Sequence, residues 1–147
     1  VMVGHLLVPV LDTLPASVSK VVVTDLLRKK MKFRGLIITD ALGMEGVLEP
    51  FGGSGAKATL AAYKAGVDIL LMPDNVSESI DLIVDYIGDD RRKLKDLDAR
   101  VSRVLALKGK CGKLTGRDDL SVDPAAVDTK GTDALITTIE ETLAAGR

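Results

Sequence analysis

Three short apolar runs, spread evenly over the first half of the chain, limit most strongly what it can fold into. They cover residues 1–3, 36–39 and 69–72, they are rich in Val, Ile and Leu, and polar residues do not alternate within them. A β-strand that is buried on both faces has this composition. A helix-like segment follows each run, and strand–helix–strand units of this length form right-handed crossovers in a parallel sheet. The pattern therefore predicts an α/β protein.

Four segments lie between or after these runs and have the periodicity or composition of helices: 17–31, 55–66, 77–88 and 94–110. Ser17 or Ser19 is expected to cap the first helix and Ser77 the third, because a serine hydroxyl accepts hydrogen bonds from the unpaired N–H groups of a helix start. Gly66 and Gly88 are expected to end the second and third helices, because glycine readily adopts the left-handed conformation that follows many helices.

A polar residue ends each run: His5, Asp40 and Asp74, separated by 35 and then 34 positions. A doubly wound sheet would usually show a Gly-rich phosphate-binding turn after its first strand, and none follows the first run. A TIM (β/α)8 barrel places its functional residues at the carboxyl ends of its strands, where these three residues lie. Three units are fewer than half of a barrel. The sequence therefore predicts the C-terminal part of a barrel over residues 1–113, as a fragment, followed by a linker and tail over 114–147.

Each of these residues also has a purely structural interpretation. Asp40 can cap the turn after its strand, or it can serve as nucleophile, base or metal ligand at the mouth of a barrel. His5, the only histidine of the chain, is either a hydrogen-bonded rim residue or a catalytic base. Asp74 lies in a turn-forming Pro-Asp-Asn stretch, for which the structural interpretation is favoured.

Composition argues against several classes of function. The formal net charge of −1 gives no reason to expect nucleic acid or an acidic membrane surface as a partner. One cysteine and one histidine provide neither a disulfide framework nor a zinc site. No apolar run approaches the roughly 20 residues of a membrane-spanning helix. The Gly-Gly-Ser-Gly segment, 52–55, lacks the Lys-Ser/Thr ending of a phosphate loop and is interpreted as a connection.

Taken together, three segments resemble glycoside hydrolase family 3. Residues 2–44 contain a Pro-Ala-Ser-x-Ser helix start and end in ITDALGM, residues 62–75 read AYKAGVDILLMPDN, and residues 97–110 read LDARVSRVLALKGK. In that family such segments form the sixth to eighth strands of the barrel and the helix that closes it. The resemblance implies that this part of the chain is the C-terminal half of a family 3 barrel domain.

The resemblance also implies site residues. Asp40 matches the family's catalytic nucleophile, the aspartate of (S/T)-D-x-L, which traps the sugar as a covalent glycosyl–aspartate in a retaining glycosidase. Leu42 and Met44 are expected to shape the wall around the sugar, and His5 to bind or lie near it. A histidine there resembles the β-N-acetylglucosaminidase branch, whereas β-glucosidases more often carry tyrosine. The implied substrate is a carbohydrate with a terminal β-linked N-acetylhexosamine, and no cofactor or metal is implied.

Part of the implied site lies outside these residues. In that family the general acid–base is a histidine on an upstream loop or a glutamate on a second domain, and no residue here matches either motif. The chain alone is therefore expected to be inactive and to need the missing N-terminal half of the barrel. Three alternatives stay open: a β-glucosidase, a phosphorylase that uses phosphate in place of water, and a non-catalytic truncated half-barrel.

Overall fold

The computed structural model of the protein describes residues 1–111, and the predicted linker and tail, 114–147, lie outside the described residues. Two regular strands are present in the described part, β1 (Met2–Val3) and β2 (Ile38–Thr39). Its helices are, in chain order, a 3₁₀ turn (Ala16–Val18), a π-helix (Val21–Lys30), α1 (Glu45–Leu48), a second 3₁₀ turn (Glu49–Phe51), α2 (Gly55–Ala65), α3 (Val76–Ile87) and α4 (Arg91–Lys110). None of the helices within residues 1–111 combines the length and apolar character needed to cross a membrane.

The three apolar runs are parallel neighbours, with β2 in the middle. β1 pairs with β2 in the register that places Val3 opposite Thr39. The third run, 69–72, lies on the other side of β2, where Ile69 pairs with Ile38 in the parallel direction. The carbonyl of Ile69 accepts a hydrogen bond from the N–H of Thr39 at 3.1 Å. The predicted parallel sheet with helical crossovers is therefore confirmed.

The first crossover, predicted as one helix over 17–31, contains the 3₁₀ turn and the π-helix. Ser19, not Ser17, acts as its cap, because Ser19 Oγ accepts a hydrogen bond from the N–H of Val22 at 3.1 Å. Three successive β-branched valines, 21–23, open the longer helix. Such residues lose side-chain freedom in a regular α-helix and lower its propensity.

Helix α2 begins and ends on the signals that the sequence contains. Ser54 Oγ accepts a hydrogen bond from the N–H of Lys57 at 3.3 Å, which caps the helix start. Gly66 ends it with φ +107°, as predicted. The Gly-Gly-Ser-Gly connection leads into the cap through Gly52 and Gly53, whose φ values of +63° and +80° are strained for residues with a β-carbon.

Helix α3 is capped by Asn75, and the prediction that Ser77 caps it is wrong. Asn75 Oδ1 accepts a hydrogen bond from the N–H of Glu78 at 3.1 Å, and Asn75 Nδ2 donates to the Glu78 carboxylate at 3.0 Å. Asparagine ranks with serine as a cap, and the second bond ties the Glu78 carboxylate to the capping side chain. Gly88 follows the last helical residue, as predicted.

Helix α4 begins three residues before the predicted position because Asp90 caps it. The Asp90 carboxylate accepts hydrogen bonds from the N–H groups of Arg92 and Lys93, at 2.8 and 3.4 Å. The hydrogen bond from Arg92 holds the pKa of Asp90 below its ordinary value. An anionic cap at a helix start is also favoured by the helix dipole.

Two clusters of buried apolar side chains form the core of the described part. The first joins β1, the π-helix and the end of α2 and contains Val3, Ala16, Val23, Ile37, Ala65 and Val67. The second lies between the first 3₁₀ turn, α1 and α2 and contains Val18, Leu42, Val47, Ala58 and Ala62. Leu42 belongs to the turn that follows Asp40. The second cluster therefore anchors that turn to the helices beneath it.

Candidate active site

Asp40 is the first residue after β2 and is half-buried. Its N–H donates to the carbonyl of Val3 at 3.0 Å, which extends the pairing of β1 with β2 to this position. Its Oδ1 accepts a hydrogen bond from the N–H of Ala41 at 2.8 Å, and no other donor within residues 1–111 is placed on the carboxylate. One oxygen of Asp40 is thus oriented by the backbone, while the other accepts no hydrogen bond from residues 1–111.

The turn after Asp40 is tied to the third run by two hydrogen bonds. The N–H of Leu42 donates to the carbonyl of Leu71 at 2.9 Å, and the N–H of Leu71 donates to Thr39 Oγ1 at 2.9 Å. The Thr39 hydroxyl therefore takes the place of a backbone carbonyl as the acceptor for Leu71. At this point the third run no longer pairs regularly with β2. Leu42 is 0% exposed. The expectation that Leu42 shapes a sugar-binding wall is wrong, because its side chain fills the second core cluster.

His5 lies beside the same turn and uses both ring nitrogens within the chain. Nε2 lies 2.9 Å from the carbonyl oxygen of Ala41, and Nδ1 lies 2.6 Å from Ser17 Oγ. The expected contact of His5 with a sugar stays a prediction. Such a contact must use the ring carbons or displace one of these two hydrogen bonds.

Met44 and Asp74 complete the surroundings of the turn. Met44, at the start of α1, is 49% exposed, unlike the buried Leu42 two residues earlier. Asp74 is exposed and packs against two glycines. A β-carbon on Gly43 would collide with Asp74 Oδ1, and one on Gly55 would lie 3.0 Å from Asp74 Cβ. The structure therefore gathers the strand-end residues predicted from sequence around one turn.

The arrangement presents the Asp40 carboxylate, oriented by a backbone N–H, at the carboxyl ends of parallel strands. Within residues 1–111, no three His, Cys, Asp or Glu side chains lie close enough together to hold a metal ion. A carboxylate can attack an electrophilic carbon or accept a proton. Met44 ends the same turn, with its N–H bound to the carbonyl of Ala41, and its exposed side chain offers an apolar surface to a ligand.

Two buried hydroxyl residues that support the turn were not assigned a role from sequence. Thr39 and Ser17 are both fully buried, and Ser17 appeared in the sequence only as a possible helix cap. Thr39 could have been recognised because a threonine directly before a strand-end aspartate interrupts an apolar run. Ser17 is the first serine of the Pro-Ala-Ser-x-Ser helix start, but that motif did not point to its partner His5, which lies 12 positions away.

The pattern of the Glycosyl hydrolase family 3 N terminal domain matches residues 1–107. A relative named Beta-N-acetylglucosaminidase/beta-glucosidase, from Cellulomonas fimi, is 32% identical over 123 residues, which cover 76% of this chain and 22% of the relative. Beta-hexosaminidase A from Pseudoalteromonas piscicida is 28% identical over 131 residues, which cover 75% of this chain and 22% of that protein.

A solved structure shares the fold. The glycoside hydrolase family 3 β-N-acetylglucosaminidase from Paenibacillus sp. str. FPU-7 superposes with a TM-score of 0.66 at 26% identity, over 84% of this chain and 24% of that one. The chain thus covers about a fifth of the length of the two relatives (22% of each). Its parallel strands and helices are part of a (β/α)8 barrel, as predicted. Because the family pattern matches most of the chain, the protein belongs to glycoside hydrolase family 3, within its N-terminal domain.

Proposed function

We propose that the whole protein is a retaining glycosidase that releases terminal β-linked N-acetylglucosamine, with Asp40 as its nucleophile. The placement of Asp40 supports this proposal most directly. Its carboxylate lies at the carboxyl end of a parallel strand, with Oδ1 held by the N–H of Ala41. Catalytic groups of barrel enzymes lie at these strand ends. The names of the two relatives, a β-hexosaminidase and a β-N-acetylglucosaminidase, support the substrate class.

The proposed reaction has two steps. In the first, an Asp40 oxygen attacks the anomeric carbon and the bond to the leaving oxygen breaks, which gives a glycosyl–Asp40 ester. A general acid elsewhere in the whole protein donates its proton to that leaving oxygen. In the second step the same group removes a proton from water, which hydrolyses the ester. Each step inverts the anomeric carbon, so the product retains the configuration of the substrate.

The hydrogen bond from Ala41 has a role in both steps. It orients the Asp40 carboxylate before attack. In the second step the carboxylate is the leaving group, and negative charge returns to its oxygens. A backbone N–H that already points at Oδ1 stabilises that charge without reorganisation.

A β-glucoside is the second candidate substrate, because the relative from Cellulomonas fimi is named for both activities. The two sugars differ at C2, where one has an acetamido group and the other a hydroxyl. Paired aryl glycosides that differ only at C2 separate the candidates, since their ratio of kcat/KM measures discrimination at that position. A higher kcat/KM for the N-acetylglucosaminide is expected.

Met44 is the proposed apolar contact with the sugar. Replacing it by alanine removes an exposed side chain without opening a core cavity, because Met44 is 49% exposed. We expect Met44→Ala to raise KM roughly 5-fold, which corresponds to a loss of about 1 kcal/mol of binding. Met31, exposed at the end of the π-helix, provides the matched Met→Ala control. Equal KM values for the two variants would contradict the contact.

The experiment that tests the proposed function is the capture of the covalent ester. A 5-fluoro N-acetylglucosaminyl substrate with a good leaving group slows hydrolysis of the ester, so that the sugar accumulates on the nucleophile. Trypsin is expected to release residues 35–57, which contain Asp40 together with Glu45 and Glu49. Fragmentation of that peptide must therefore locate the added mass.

The added mass is expected on Asp40. An adduct on another residue, with Asp40 unmodified, would contradict the nucleophile assignment. A whole protein that neither turns over the aryl glycosides nor forms an adduct would favour the non-catalytic alternative.

A further inference from the structure

A chain of side-chain hydrogen bonds runs from the first 3₁₀ turn to the turn beside Asp40. It begins at Ser17, which is 0% exposed, and passes through the half-buried ring of His5. It ends on the carbonyl oxygen of Ala41, the residue after Asp40. These residues lie 12 and 36 positions from His5 in the chain, so that only the fold brings them together.

The partners determine which ring nitrogen carries the proton. A carbonyl oxygen can only accept, so Nε2 of His5 must be the donor to Ala41. In the neutral imidazole Nδ1 is then an acceptor, and it receives the hydroxyl proton of Ser17. Ser17 therefore favours the tautomer that can hold the Ala41 carbonyl.

The peptide group between Ala41 and Leu42 is held at both ends. Its carbonyl oxygen accepts from His5 at 2.9 Å and from the N–H of Met44 at 3.2 Å, and its N–H donates to the carbonyl of Leu71 at 2.9 Å. The N–H of Ala41 in turn donates to Asp40 Oδ1 at 2.8 Å. This N–H belongs to the preceding peptide group, which is joined to the Ala41–Leu42 peptide at the α-carbon of Ala41. A displacement of the Ala41–Leu42 peptide would break the bond to His5 and move that α-carbon, and with it the donor that orients the Asp40 carboxylate.

We propose that His5 and Ser17 are positioning residues for the Asp40 carboxylate. This inference rests on the proposed function, since it assigns these residues to the nucleophile of that reaction. Ser17 is too deeply buried to touch a ligand, and it acts through His5. Loss of His5 or Ser17 is therefore expected to lower the rate of the chemical step, because a displaced nucleophile no longer meets the anomeric carbon in line.

Four single variants of the whole protein and one double variant test this role. His5→Phe keeps a planar ring without a donor, and His5→Gln restores an amide N–H near the position of Nε2. Ser17→Ala removes only the hydroxyl that selects the tautomer. Ser19→Ala is the matched control, because Ser19 is equally buried and hydrogen-bonded, to Asp12 and Val22 rather than to His5.

We expect a split between kcat and KM. His5→Phe lowers kcat by about 10²-fold and Ser17→Ala by about 10-fold, with KM for the aryl glycoside little changed. His5→Gln recovers part of the rate lost in His5→Phe. The double variant His5→Phe/Ser17→Ala is no slower than His5→Phe alone, since Ser17 acts through the ring. Ser19→Ala keeps the kcat of the parent protein.

A second readout does not depend on activity. In ¹⁵N-histidine spectra of the whole protein, the His5 signals are identified by their loss in His5→Gln. They are expected to show a neutral ring protonated at Nε2, and Ser17→Ala is expected to change that signature.

The outcomes separate the two proposals. A parent protein without turnover or adduct overturns the proposed function and the positioning role with it. A parent protein that turns over, with Ser17→Ala at full kcat or with His5→Phe affected only in KM, overturns the positioning role alone. A His5 ring protonated at Nδ1 overturns the hydrogen-bond assignment on which the role depends.

Discussion

In the whole protein, Asp40→Asn is expected to lower kcat on the order of 10⁴-fold or more while the fold stays intact. An amide cannot form the glycosyl ester, so the first step of the proposed reaction is lost. The structure of the turn should survive, because the amide oxygen of asparagine can still accept the hydrogen bond that Ala41 donates to Asp40 Oδ1. The measurement is kcat with an aryl N-acetylglucosaminide, together with the unfolding midpoint of each protein.

Asp74→Asn is the matched control for this variant. Asp74 is a strand-end carboxylate that packs against the same turn, at Gly43, but it is exposed and follows the third run. The kcat of Asp74→Asn is expected to stay within a few-fold of that of the parent protein. Near-normal activity of Asp40→Asn, or an equal loss in both variants, would show that Asp40 is not the nucleophile.

Asp68→Ala is expected to destabilise the protein by about 3–5 kcal/mol. The Asp68 side chain is 0% exposed and binds two arginines, with Oδ2 paired to Arg28 and Oδ1 2.7 Å from Nη2 of Arg103. Its Oδ2 also accepts from the N–H of Ile37 at 2.8 Å. These contacts join the π-helix, the start of β2, the third run and α4. Removing the carboxylate leaves two cations and a buried N–H without their acceptor.

Asp25→Ala is the control for that loss. Asp25 also pairs with two cations, Lys20 and Lys29, but all three side chains are largely exposed. Exposed pairs of this kind contribute little to stability because water solvates the separated charges well. The unfolding midpoint should therefore fall in Asp68→Ala and stay unchanged in Asp25→Ala. Similar midpoints in the two variants would contradict the structural role of Asp68.

Features that depend on spacing along the chain were predictable from the sequence. Apolar runs without polar alternation gave the parallel strands, and glycines after periodic segments gave the ends of α2 and α3. The position of Asp40 at a strand end followed from the same pattern. These features are local, because a strand or helix end depends on a few adjacent residues and their backbone preferences.

The residue that caps a helix was harder to predict where neighbouring residues can each serve as the cap. Asn75 and Ser77 are both good helix caps, and the sequence does not show which of them turns its side chain to the helix start. Asp90 likewise extended α4 by a turn beyond the predicted start. In both cases the capping residue has an extended backbone, with ψ values of 93° for Asn75 and 108° for Asp90.

By itself, the sequence determined the order of the three apolar runs and of the four longer helical segments, and the carboxylate that stands at the end of β2. It did not predict α1 or the second 3₁₀ turn. Only the tertiary structure decided what surrounds that carboxylate. Leu42 turned into the core, and Ser17 met His5 beside the Ala41 carbonyl. The physical reason is that these contacts join residues far apart in the chain. The packing of the strands and helices selects their partners, and the periodicity within a single segment does not show that packing.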